Sequence, residues 1–253
     1  MNNPLIYKDE NGEFFLGTVF AAITDAIGNL FKHGFNVSQY NWTKTVNAWR
    51  IDIGMFRGNF GQIVNKWTWG IVNSVIGNEL AHSLNIAGRV RHVSDMDGML
   101  ALEGVTVNGS AFTIGHYSFG PKRYRATWKD NLFVHEYGHY MQSQILGPLY
   151  IGVVAVPSAL NVNGILPGDH AYRWYEVDAS RRAAHYFDKK YGRGSKNYDS
   201  NKPEDFFDIN TFVKGGYSSY TNPRNGTNYQ GKGNPISGGK VSLGEILTSL
   251  YFF

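Results

Sequence analysis

NLFVHEYGHYMQSQI, residues 131–145, sets the fold around it. Leu132, Phe133, Tyr140 and Met141 recur at helical intervals, Asp130 or Asn131 is placed to cap the start, and Gly147 with Pro148 stops the run. Inside that helix His135, Glu136 and His139 stand in HExxH spacing. Residues four apart share a helix face, so both imidazoles can reach one metal ion, with Glu136 beside its open position as a general base. The competing reading is a buried helix whose histidines bond to carboxylates or backbone.

A candidate third ligand follows downstream. Residues 170–187 read HAYRWYEVDASRRAAHYF, where Trp174, Ala179, Ala183 and Phe187 are compatible with a second helix. Glu176 falls 176 − 139 = 37 residues after His139, enough chain for a loop and a returning helix. Gln142 and Ile145 occupy the positions that the HExxHxxGxxH pattern requires, which excludes that class. The chain has no cysteine, so any metal must use histidine and carboxylate.

Composition bounds the rest. The 253 residues include 16 Tyr, 16 Phe and 6 Trp with 17% charged, which is no disordered composition. A net charge of +4 without a nucleic-acid motif argues against a nucleic-acid partner. The expected class is α+β and mainly helical, with a small antiparallel sheet before the HExxH helix. Residues 16–88 form a helical N-terminal region in which Trp42, Trp49, Trp67 and Trp69 are read as core. Residues 89–213 form the catalytic region, with β-rich runs RVRHVS, MLALEGVTV and SAFTIGHYSFG separated by Asp-Gly and Asn-Gly turns. Residues 214–253 form a Gly/Asn-rich tail that ends in an apolar VSLGEILTSLYFF. Two apolar stretches, 17–31 and 145–160, are shorter than the roughly 20 residues a membrane span needs and are read as buried core. Residues 17–31 also leave open a transient membrane contact. The polar first residues show no cleavable signal. His116 and His170 are the other histidines expected nearest the site. Either of them, or Tyr172 or Tyr175, could stabilise an oxyanion.

The HEYGH motif followed by E-x-x-A resembles the zincin-like metallopeptidases known as gluzincins, which hold Zn²⁺ by two histidines and a glutamate. That resemblance implies His135, His139 and Glu176 as ligands, Glu136 as general base, and a peptide or protein substrate. Ser180 stands where those enzymes often carry Asp or Asn, and whether Asp178 orients a ligand or faces solvent stays open. The resemblance also implies an edge strand beside the zinc that binds substrate, and residues 111–117 are nominated for it. At the N-terminus, NNPLIYKDENGEFF (2–15) resembles the closing segment of an Rhs repeat core, with Glu10 where that family has proline. The chain from NAWRIDIGMFRGNFGQ through VHEYGHYMQSQ to its end is similar to metallopeptidase-like tips of Rhs-type proteins in Bacteroidetes. These likenesses imply that residues 1–15 end an Rhs-like core and that the rest is a secreted or delivered zinc endopeptidase toxin with a cognate immunity protein. Two other functions are weighed against it: an inactive zinc-binding or assembly module, and a membrane-active toxin using 17–31.

Overall fold

The computed structural model describes residues 16–107, 109–166, 170 and 173–191, with two short strands at 220–221 and 228–229. The Rhs-like segment, Tyr172, and the tail apart from those strands lie outside the described residues. Four helices come first: α1 Leu16–His33, α2 Thr43–Ile53, α3 Phe60–Trp67 and α4 Ile71–Ile86. Strands β1 His92–Met96, β2 Met99–Glu103, β3 Phe112–Ile114 and β4 Tyr117–Gly120 follow. Then come α5 Asn131–Leu146, a π-helical turn Ile151–Ala155 running into α6 Val156–Val162, and α7 Trp174–Tyr191. The strands β5 Tyr220–Thr221 and β6 Asn228–Tyr229 pair antiparallel.

The α+β expectation holds, but the sheet is mixed rather than antiparallel. Its order is β1-β2-β4-β3, with β1/β2 and β3/β4 antiparallel and β2/β4 parallel. After β2 the chain turns at Gly104 (φ +94°), runs to the far edge to lay down β3, and doubles back so that β4 slots in beside β2. SAFTIGHYSFG is therefore two strands. The turn between them depends on Gly115, at φ +62°, where a Cβ would lie 2.7 Å from the Asn73 carbonyl oxygen.

The central strand β2 is buried throughout, so alternation splits its side chains between two cores. Met99 and Ala101 face Phe133, Tyr137 and Tyr140 of α5 and Ala183 and Phe187 of α7. Leu100 and Leu102 face the other way, onto Ile51 of α2 and Ala81 of α4. The sheet thus divides a three-layer body, with the HExxH helix on one side and the N-terminal helices on the other.

That N-terminal layer overturns the reading of 17–31 as core. Val19, Phe20, Ile23, Ile27, Leu30 and Phe31 of α1 all face outward. Its inward face is polar: Thr18 donates to Asp52, Asp25 accepts from the Thr45 backbone N–H at 2.9 Å, and Asn29 pairs with the Asn41 backbone. Trp42, Trp49 and Trp69 are also exposed rather than core. Helix α4 repeats the pattern, burying Asn73, Ser74, Asn78, His82 and Asn85 while exposing Val72, Val75 and Ile76. The stretch 145–160 is mixed: Tyr150, Val153 and Val154 are buried, whereas Ile145 and Leu149 are exposed.

Candidate metal centre

Helix α5 begins where Asp130 Oδ1 accepts from the Leu132 and Phe133 backbone N–H groups at 3.0 and 3.3 Å, and ends at Gly147 in the left-handed region. One face of α5 carries Phe133, Tyr137 and Tyr140 into the core beneath the sheet, and another turns His135, His139 and Gln142 towards α7. The two helices touch at backbone distance. A Cβ on Gly138 would sit 1.9 Å from the Ala179 carbonyl oxygen, so glycine between the histidines is what brings the second helix this close.

That approach unites the three expected ligands. Glu176 Oε2 lies 2.9 Å from His135 Nε2 and 3.3 Å from His139 Nε2. All three side chains are buried, and their ligand atoms lie within 4.8 Å of one another, an arrangement that could hold a metal ion. The spacing suits a shared ion: with ligand bonds of about 2.0–2.1 Å, neighbouring donors of a tetrahedron stand roughly 3.3 Å apart.

The outer nitrogens show how the rings are aimed. His135 Nδ1 lies 3.0 Å from Ser180 Oγ, and His139 Nδ1 lies 2.9 Å from Gln142 Oε1. The Gln142 amide nitrogen donates to the Tyr175 carbonyl at 2.7 Å and to Asp178 Oδ2 at 2.9 Å, which orients its oxygen towards His139. His139 Nδ1 is then the donor, which leaves Nε2 to face the centre, with a lone pair for an ion once its proton is lost. Asp178, left open by the sequence, is buried and receives Arg182 Nε at 2.6 Å as well.

The second oxygen of Glu176 is also held. Ser158 Oγ donates to Oε1 at 2.7 Å, and His170 Nε2 lies 3.2 Å from it. Of the two histidines expected nearby, only His170 reaches the centre. His116 is buried against Tyr117 with Nδ1 3.5 Å from Ser74 Oγ, because its turn faces α4 rather than α5. Tyr175 is buried, gives its carbonyl to Gln142, and packs with Tyr150, Val153 and Val154.

Electrostatics fit a cation. Burial alone would lower the His139 pKa, but the Glu176 carboxylate outweighs it and pushes it up to about 9. Burial would likewise raise Glu176, yet His139, His135 and His170 together hold its carboxyl well below the usual range. Without an ion, a proton on His139 serves as the positive charge, and a metal would take its place.

Glu136 follows His135 directly, and one of its carboxylate oxygens is held by β3. Thr113 Oγ1 donates to Glu136 Oε2 at 2.8 Å, which ties the nominated strand to the helix. β3 does occupy the sheet edge, but the Thr113 carbonyl accepts from the Tyr150 hydroxyl at 2.9 Å. Sequence reasoning missed Ser158, because it lies in an apolar run, and Thr113. Gln142 was noticed only as a missing ligand, although it sits one helical turn past His139 on the same face. No protein-family model, curated protein or solved structure matches the chain.

Proposed function

We propose that the chain is a zinc-dependent endopeptidase. The observation that supports it most is the buried convergence of His135, His139 and Glu176, with Glu136 next to His135 on α5. His135 Nε2, His139 Nε2 and Glu176 Oε2 would hold the ion, and two imidazoles with one carboxylate favour zinc over calcium or magnesium. Zinc, when bound, supplies a Lewis acid that polarises a carbonyl and brings the pKa of a coordinated water to about 7. Glu136 then accepts a proton at its carboxylate and passes it to the leaving amine. Thr113 keeps that carboxylate against β3, where an extended peptide would lie.

The wider role follows the same reading. The likeness of residues 2–15 to an Rhs core end supports a delivered toxic domain, restrained before delivery by an immunity protein. The test is a proteome digest with metal analysis, wild type against Glu136→Ala. The expected result is equal zinc in both proteins and cleaved peptides only in the wild type. Undiminished cleavage by Glu136→Ala would remove Glu136 as the base. Zinc without turnover in the wild type would favour a binding or assembly module instead.

A further inference from the structure

We infer that Ser158 and His170 are positioning residues: they restrict Glu176 to holding the ion through one carboxylate oxygen, and so keep a coordination position free for water. The inference rests on the zinc reading above and extends it to the side of Glu176 turned away from the histidine ligands.

The two oxygens of that carboxylate have separate surroundings. Oε2 lies 2.9 Å from His135 Nε2 and 3.3 Å from His139 Nε2. Oε1 accepts from Ser158 Oγ at 2.7 Å and lies 3.2 Å from His170 Nε2. A carboxylate can hold a metal through one oxygen or through both. On zinc, the second oxygen would fill the place that a catalytic site keeps open beside its three protein ligands. To pivot that way, Oε1 must give up the Ser158 hydroxyl, a hydrogen bond strengthened by the carboxylate's charge.

Helix α6 is built to hold Oε1. Ser158 and Asn161 stand three residues apart on it and so share a face. Asn161 is buried, its Oδ1 lies 3.1 Å from His170 Nδ1, and its amide nitrogen donates to the Leu166 carbonyl at 3.1 Å. One residue of the pair therefore bonds Glu176 directly, and the other fixes the imidazole that flanks it. The support beneath is apolar. Tyr150, Val153 and Val154 pack on Tyr175, the residue before Glu176, which ties the chain leading into α6 to the first turn of α7. An otherwise apolar run thus brings its few polar side chains to the one carboxylate oxygen that faces away from the histidines.

The experiment loads the full 253-residue chain with zinc and with cobalt(II), then reads metal content, X-ray absorption and the visible cobalt spectrum. The wild type holds one zinc per chain, bound by one oxygen of Glu176. Ser158→Ala/His170→Ala still holds one zinc but gains an oxygen neighbour, and its cobalt bands weaken as four-coordination gives way to five. On a peptide that the wild type cleaves, its kcat falls about tenfold or more while KM stays within about twofold. Ser158→Ala alone shifts the spectrum part of the way, and Ser158→Thr, which restores the hydroxyl, returns it; these two decide the matter if the double variant does not fold. A wild-type spectrum in a folded, zinc-loaded double variant overturns the inference. So does loss of zinc from Ser158→Ala, which would make the hydroxyl a prop for the whole site. Wild-type zinc bound by both Glu176 oxygens overturns the inference and leaves the peptidase reading standing, whereas a wild type that takes up no zinc removes both.

Discussion

Gln142 holds His139 from behind: its side-chain oxygen lies 2.9 Å from the imidazole Nδ1, while its amide nitrogen is fixed by Tyr175 and Asp178 on α7. The helix that supplies Glu176 therefore also aims a histidine on the facing helix. Gln142→Ala should weaken zinc affinity by about 10- to 100-fold. Competition against a chromogenic chelator measures this, and an unchanged affinity would show that packing alone orients the ring.

Gly138→Ala tests the helix contact. With the added methyl 1.9 Å from the Ala179 carbonyl oxygen, α5 and α7 must part, and Glu176 moves off the histidines. The expected cost is about 3 kcal/mol or more, with loss of metal. Thermal melts with and without zinc read both effects. A variant that melts and binds like the wild type would mean the helices are not in backbone contact.

Proton competition sets the pH dependence of metal uptake. His139 in the metal-free protein titrates near 9, so below that pH an incoming ion displaces a proton. Apparent zinc affinity should fall by about tenfold for each pH unit between 9 and 6.5. The metal-free fold runs the opposite way. Its raised His139 pKa contributes stability that is complete below about 6.5, the unfolded value, and lost as pH climbs through 9. Chelator titrations across that window, compared with melts in chelator of the wild type and His139→Gln, separate the two trends.

Tyr150→Phe probes the sheet edge. The Tyr150 hydroxyl occupies the Thr113 carbonyl on β3, an acceptor that an added strand would want. If peptides bind there, removing the hydroxyl lowers KM severalfold while kcat holds. An unaltered KM would place the substrate away from that carbonyl.

The site was largely legible in the sequence because its information is local. HExxH needs only helical spacing, and the capping Asp130 and terminal Gly147 both sit where the sequence put them. Glu176 was reachable because its own helix carries small residues, Ala179 and Ala183, on the face that packs. The parts that escaped depend on pairing and direction. Alternation identifies a strand but not its neighbour, so the parallel β2/β4 pair could not be read from MLALEGVTV or SAFTIGHYSFG. Periodicity likewise finds the apolar stripe of α1 without saying which way it faces. Only the partners of Asp25 and Asn29 reveal that the polar side is the one turned inward.

The three candidate ligands lie on two helices, with His139 on one and Glu176, 37 residues later in the chain, on the other. A chain with α5 formed but α7 undocked offers an ion two imidazoles and little else. If the site takes an ion, capture reads out completed assembly, and its free energy goes into holding the two helices together. Under the proposed function, a chain unfolded for delivery would carry no ion and would regain its site only on refolding where zinc is at hand.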